Sequence, residues 1–247
     1  THCISSAASD VYKRQEYNNL ISGIEKDNIA SIKLHEKNGF IYANCKWDEF
    51  ADGFPEKHLC YIYNKENIMN KNTIKLETER LILRKIEMSD YEAIYNCWTS
   101  DENVTKYVTW NAHKSPEETK KLTKYWVEDY TNDYCYRWLV TLKETNEIIG
   151  MIDVISKNIQ YMTAEVGYCY GSKYWGKGYA SEALRKVIEY LHEEGFPVVT
   201  AEHFVSNKAS GRVMEKAGMV YETTLKSRVI NKMGEREDIL VYVSICE

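Results

Sequence analysis

Gly176 and Gly178, set between Tyr174-Trp175 and Tyr179-Ala180, are the residues whose spacing first suggests chemistry. Before them comes a β-rich run from Met162 to Tyr170 with Glu165-Val166-Gly167-Tyr168 at its core. After them Ala180, Ala183, Leu184, Val187, Ile188 and Leu191 fall at helical spacing on one apolar face. Gly195 suits a left-handed C-cap, and Pro197 forbids continuation. Strand, glycine loop and helix start, in that order, aim free backbone N–H groups and the positive end of a helix dipole at one point, a place for a phosphate. A plain tight turn would use the same glycines for want of a Cβ. Gly171 to Lys177 also spells the first seven residues of a Walker A loop. Gly178 stands where that loop needs Ser or Thr to hold magnesium, and Glu165 and Gly167 interrupt what should be an apolar strand, so an NTPase is not expected.

Lys173-x-x-Gly176-x-Gly178 followed by Tyr179-Ala180 resembles the acetyl-CoA pyrophosphate loop of the GNAT acetyltransferase superfamily. The wider string EVGYCYGSKYWGKGYASEAL, and the opening Leu76-Glu-Thr-Glu-Arg80-Leu-Ile-Leu-Arg84, are similar to its RimJ/RimL-type branch over residues 73–247. Lys173 departs from the usual Gln or Arg. The resemblance implies an α/β GNAT fold, with a mixed, mostly antiparallel central sheet flanked by helices. It also implies acetyl-CoA as co-substrate. The cofactor-binding residues carried over are Val166, Gly167, Tyr168, Lys173, Tyr174, Trp175, Gly176, Lys177, Gly178, Tyr179, Ala180 and Asn207. Among these, the amides of Val166, Gly167 and Tyr168 would serve the pantetheine arm and the thioester oxygen.

The implied reaction is acetyl transfer to a primary amine by direct attack in a ternary complex. The amine must attack in its neutral form, and Glu165 is the best-placed base. A carboxylate on a mostly apolar strand should have a raised pKa; the plainer role is pairing with a neighbouring Lys or Arg. Family members often protonate the departing thiolate with a tyrosine seven residues after the Asn. Met214 occupies that place and cannot donate, which leaves Ser210 or water, or departure with no acid. Cys169 has no histidine near it in sequence and reads as a buried thiol rather than a nucleophile. A catalytically idle acyl-CoA-binding or regulatory module is the rival reading.

The elements that must position these groups fit in 247 residues, 44% hydrophobic and 28% charged, with a net charge of -5. That balance argues against a nucleic-acid partner, which calls for a basic face. Tyr, Trp and acidic residues alternate through 91–136, so rings packed on a sheet are expected there, or an acceptor pocket. The seven cysteines are scattered and never Cys-x-x-Cys, which fits reduced thiols in the cytoplasm and no metal site. No apolar run is long enough to cross a bilayer, so no membrane partner is expected. The expected partners are a small-molecule amine or a protein N-terminus as acceptor, and a second copy in a homodimer.

Three regions are expected. Residues 1–15 have no apolar core of a signal peptide and read as a non-native leader. Residues 16–68 contain Asn28-Ile-Ala-Ser31-Ile-Lys-Leu-His-Glu36-Lys37-Asn-Gly39. This string matches Asn207-Lys-Ala-Ser210-Gly-Arg-Val-Met-Glu215-Lys216-Ala-Gly218 at a constant offset, 207 − 28 = 179. By resemblance this first copy is the truncated C-terminal half of a phosphinothricin-acetyltransferase-like GNAT domain, with a last strand at His58 to Tyr63. Residues 69–247 form the complete domain after a polar linker. Its first strand is expected from Leu76, Leu81, Leu83 and Ile86, and Asp90 is expected to cap the next helix. A hairpin is expected over 138–155, a fifth strand over 197–203, an Asn-led helix from Asn207 and a terminal hairpin over 222–243.

Overall fold

The computed structural model describes residues 72–246 apart from Asp133 and Gln160, and before them the segments 11–12, 19–25, 27–37, 41–42 and 58–64. The chain divides into two compact units, Thr1–Lys71 and Asn72–Glu247. The leader expected over residues 1–15 lies outside the described residues except for Val11–Tyr12.

The first unit contains β1 (Val11–Tyr12), β2 (Asn19–Glu25), α1 (Ile29–Lys37), β3 (Ile41–Tyr42) and β4 (His58–Asn64). Its strands lie in the order β1-β2-β4-β3, every pair antiparallel. Asn28 Oδ1 accepts from Ser31 N–H at 3.0 Å, an N-cap that satisfies a donor the helix leaves free.

The second unit runs β5 (Leu76–Glu77), β6 (Leu81–Arg84), α2 (Tyr91–Ile94), α3 (Glu102–Thr105), α4 (Pro116–Asp129), β7 (Arg137–Leu142) and β8 (Ile148–Asn158). It continues β9 (Thr163–Tyr170), α5 (Tyr179–Glu193), β10 (Val198–Phe204), α6 (Lys208–Ala217), β11 (Val220–Ile230) and β12 (Arg236–Ile245). Its eight strands lie in the order β11-β12-β10-β9-β8-β7-β6-β5. Only β9 and β10 run parallel; every other neighbouring pair is antiparallel. The second unit is thus an α/β fold with the mixed, mostly antiparallel central sheet that the resemblance implies.

The repeat seen in the sequence has a structural counterpart. Moved by 179, the span 19–25 of β2 falls on 198–204 of β10, and 29–37 of α1 falls on 208–216 within α6. The order β2-β4-β3 likewise matches β10-β12-β11. The Asn28 cap recurs too, since Asn207 Oδ1 accepts from Ser210 N–H at 3.3 Å.

Two expectations near residue 80 need correction. Leu76, Leu81, Leu83 and Ile86 do not share one strand: a turn at Thr78, whose N–H donates to Leu81 O at 3.0 Å, splits it into β5 and β6, and Ile86 lies beyond. Asp90 makes no side-chain cap to α2. Arg84 holds its carboxylate through two bonds of 2.8 Å, and Glu87 N–H donates to it at 2.7 Å. A bidentate charged partner is simply the stronger competitor for that carboxylate.

The apolar face of α5 packs on the sheet, with Ala183, Leu184, Val187 and Leu191 wholly buried. Trp138 of β7 meets Tyr190 of α5 edge-on at 5.8 Å, and its Nε1–H donates to Ile74 O at 2.7 Å. The aromatic stretch 91–136 divides in two: Trp98 and Tyr136 are core, while Tyr107 faces a cavity and Tyr125 faces solvent. Leu184→Ala should cost about 2–5 kcal/mol of unfolding free energy, because a close-packed core collapses only partly around a lost side chain. Urea unfolding of the purified chain measures it.

Candidate active site

The site begins where β9 and β10 part. They pair only from Thr163/Val198 to Glu165/Thr200. Beyond that β9 keeps its other neighbour, β8, as far as Tyr170, and β10 keeps β12 as far as Phe204. The two strands form a fork, and a cavity of about 610 Å³ opens in it.

Backbone parity decides which amides face the fork. Gly171 N–H donates to Ile149 O on the β8 side at 3.1 Å. Gly167 and Cys169 share that parity, so Val166, Tyr168 and Tyr170 turn their peptide groups toward the fork. Tyr170 O there accepts from Trp175 Nε1–H at 2.8 Å. The expectation of three amides at Val166, Gly167 and Tyr168 is therefore corrected to exclude Gly167, whose N–H faces β8. Gly167 lines the cavity without a side chain, and a Cβ there would stand 2.8 Å from Ile155 Cγ2.

The glycine loop closes one end. Gly176 and Gly178 take φ of +75° and +83°, a region that L side chains rarely adopt. Gly178 leads into α5 with no side-chain cap, and among the described residues the N–H groups of Gly176 to Ser181 have no protein acceptor. Glu182 locks this loop to the first strands. It accepts from Thr78 Oγ1 at 2.5 Å, Arg80 N–H at 2.9 Å and Arg80 Nε at 2.7 Å. Arg80 also donates to Lys177 O at 3.1 Å and lies over the Tyr179 ring at 4.6 Å. Burial opposes ionisation of Glu182, yet these bonds from Thr78 and Arg80 hold its carboxyl below the usual range.

Most of the residues singled out from the sequence meet in this cavity. Val166, Gly167, Tyr168, Tyr174, Trp175, Gly176, Gly178, Tyr179, Ala180, Asn207 and Ser210 all line it. Lys173 does not: its ammonium pairs with Glu147 at 2.9 Å. Lys177 also lies outside the lining, its side chain 5.5 Å from the Tyr174 ring centre. Glu165 sits at the closed end of the fork, half-buried, and is not part of the cavity wall. Burial, with a smaller push from Glu202, raises its carboxyl pKa. Ser210 Oγ lies 2.7 Å from the Tyr168 hydroxyl, which also donates to Ser210 O at 3.0 Å. A carbonyl only accepts, so the Tyr168 proton goes there and the Ser210 proton goes to the Tyr168 oxygen. Ser210 is thus committed within the protein rather than a free acid. Met214 is core, 1% exposed. Cys169 is a thiol that burial drives further toward its neutral form.

The sequence reading missed the opposite wall. Glu202 and His203 of β10, Tyr107 and Val108 after α3, and Lys208 and Arg212 of α6 all line the cavity. A Glu-His pair inside an otherwise apolar strand was the one available signal on β10. Tyr107 belongs to the aromatic stretch 91–136, for which an acceptor pocket was one expectation; Val108 carried no signal, because its wall is held by a distant residue: Lys232 Nζ donates to Thr105 O at 2.6 Å and Trp110 O at 2.5 Å. Under Gly167, Arg137 lies between Asp129 at 2.9 Å and Asp153 at 3.3 Å. Among the described residues no cluster of His, Cys, Asp or Glu could hold a metal, and no helix is long and apolar enough to cross a membrane.

Residues 80–220 match the family described as Acetyltransferase (GNAT) domain. The chain belongs to the GNAT acetyltransferase family. It is similar to the uncharacterized N-acetyltransferase YoaA of Bacillus subtilis, 34% identical over 68% of this chain and 94% of that one. It is also similar to a GNAT-family acetyltransferase of Bacillus anthracis, with a TM-score of 0.61, 30% identity, and coverage of 70% of this chain and 98% of that one. RimL, the ribosomal L7/L12 α-N-protein acetyltransferase solved with coenzyme A, shares the fold at a TM-score of 0.63 and 20% identity, over 70% and 98% of the two chains. This GNAT protein is an acyltransferase. These relatives lend no support to a phosphinothricin-acetyltransferase-like half-domain at 16–68, and the family match starts beyond it.

Glu182→Ala removes the acceptor that ties the glycine loop to β6. It should cost about 1.5–3 kcal/mol, in the range for hydrogen bonds to a charged group, and speed proteolysis near Gly176. Chemical unfolding and limited trypsin digestion at Lys177 test this together.

Proposed function

We propose that this GNAT protein moves an acetyl group from acetyl-CoA to a primary amine, by direct attack in a ternary complex. The observation that carries the reading is the continuity of the fork with the free amides at the start of α5. The amides of Gly176 to Ser181 and the helix dipole would hold the pyrophosphate. Lys208 and Arg212 in the wall would add positive charge to an anionic ligand. The pantetheine arm would lie in the fork and take the place of β10 beside Val166 and Tyr168. A fixed amide there would stabilise negative charge on the thioester oxygen, without reorganising during the reaction. Trp175, Tyr174, Tyr179, Ala180 and Asn207 shape the cavity around that arm.

On the acceptor side, Glu202 reaches the cavity and Glu165 lies two residues deeper on the neighbouring strand. Glu165 would accept the amine proton through water or by way of Glu202. The acceptor is a small-molecule amine or a protein N-terminus. The RimL likeness, at 20% identity, bears on the fold alone. Residues 16–68 have no counterpart of β9 or α5 among their described elements, and the reaction does not draw on them. The idle acyl-CoA-binding module finds one favourable observation, the buried Met214 in the family's tyrosine position.

Calorimetric titration of acetyl-CoA into wild type and Gly176→Glu is the direct test. Micromolar binding that the mutant loses would support the reading. No binding to wild type would overturn it, and binding without turnover of any amine would favour the idle module. The pH dependence follows from Glu165. Its raised pKa keeps it protonated to higher pH than an ordinary carboxyl, so turnover should rise with pH along a limb placed above the usual Glu range. Glu165→Gln should remove that limb. Glu202→Gln should move it to lower pH, though only slightly, since burial outweighs Glu202 as a cause.

A further inference from the structure

Lys208, Arg212 and Lys216 stand four residues apart on α6, and all three line the cavity. One helical turn separates each from the next, so the cations form a stripe about 12 Å long on one side of the helix. Ala209 and Val213 line the cavity beside them. Elsewhere exposed cations find carboxylates: Lys173 meets Glu147 at 2.9 Å, and Lys226 meets Asp238 at 2.8 Å. Among the described residues, no side chain of the stripe has an ion pair or a hydrogen bond.

Such a stripe is unfavourable in the protein alone. Like charges at i, i+4 repel each other. Lys208, the first residue of α6, also puts a cation at the positive end of the helix dipole. Lys216, in the last turn, suits that dipole; Lys208 runs against it. Unpaired cations along a cavity wall draw an anion into the cavity. The free amides at the start of α5 provide for one anion, the pyrophosphate, but they are neutral donors on another helix. The acceptor does not match the stripe, because the carboxylate on its side, Glu202, faces α3. Coenzyme A carries a second anion, the 3′-phosphate of its ribose. That monoester holds nearly two negative charges at neutral pH, next to the adenine.

We propose that the α6 stripe selects the cofactor by its 3′-phosphate, with Arg212 at its centre as the specificity-determining residue. This rests on the acetyl-CoA reading of the cavity. A guanidinium offers two parallel N–H donors to phosphate oxygens, a match that an ammonium lacks. Lys208 and Lys216, one turn to either side, balance the remaining charge. Ala209 and Val213 give the adenine an apolar strip between the cations. The fork and the α5 amides thus take the pantetheine and the pyrophosphate. The α6 stripe takes the one group that distinguishes coenzyme A from its 3′-dephosphorylated form.

The test needs no acceptor. Coenzyme A and 3′-dephospho-coenzyme A are titrated calorimetrically into the full chain at low salt, as wild type and as Arg212→Gln. Wild type should bind coenzyme A at least roughly tenfold more tightly, the size of one hydrogen bond to a charged group. Arg212→Gln should lose most of that ratio, its affinity falling far more for coenzyme A than for the dephosphorylated form. Added salt should narrow the wild-type ratio. Equal wild-type affinities for the two ligands would overturn the proposal and leave the acetyl-CoA reading standing. An equal loss for both ligands in Arg212→Gln would overturn it too, because that marks a general attraction to anions. Binding of neither ligand to wild type would overturn the acetyl-CoA reading itself, and this proposal with it. Arg212 is exposed, so its replacement leaves the core intact. Should Arg212→Gln still fail to fold, Arg212→Lys decides by the same ratio: it keeps the charge and loses the paired donors, and an unchanged ratio overturns the role of Arg212.

Discussion

The parting of β9 from β10 is the constraint on which the rest of the second unit depends. A parallel pair in a continuous sheet would satisfy both strands' peptide groups along their length. Here the pairing stops after Glu165 and Thr200, and each strand is held only from its outer side. The peptide groups left over at Val166 and Tyr168 are the polar surface of the fork. Their exposure is tolerated because β8 and β12 anchor the two prongs through long antiparallel ladders. The site is thus a gap in hydrogen bonding maintained by the sheet around it.

What surrounds the gap divides by face. Toward α5 and α6 lie Tyr168, Ser210 and His203, a polar group buried under two helices. Toward α3 lie Gly167, Glu202, Tyr107 and Val108. Strand alternation alone separates Glu202 from His203. At the end of the fork, Glu182 gathers Thr78 and Arg80, so that the glycine loop is fastened to β6 rather than left as a free turn. Arg80 in turn stacks on Tyr179 and bonds Lys177 O, which explains a loop that is ordered although its own glycines supply no side chains.

The first unit shows how much of this arrangement comes with the repeated half. Its β2, α1, β3 and β4 repeat the succession of β10, α6, β11 and β12, including the Asn cap that starts the helix. Neither a β9 nor a glycine loop is present among its described elements, and β1 lies antiparallel to β2 where the second unit has a parallel neighbour. A fork needs two prongs. The repeated half has the elements of only one, and Ile24 and Ile32 stand where the second copy has His203 and Gly211.

Sequence by itself determined the elements with strong local signals. The 3.6-residue spacing of Ala183, Leu184, Val187 and Leu191, bounded by Gly178 and Gly195, fixes α5, and Asn207 fixes the start of α6. The glycine loop and the family were legible for the same reason, since a backbone at positive φ leaves a mark on residue type. Tertiary structure alone decided which groups meet. Lys173 and Lys177 belong to the loop motif, yet they turn to Glu147 and Tyr174, because exposed cations seek partners that no local pattern names. Gly167 faces its amide away from the fork, by a parity set through pairing with β8. Glu202 and His203 became site residues through the distance at which two parallel strands separate, a property of the sheet with no counterpart in the spacing of one strand.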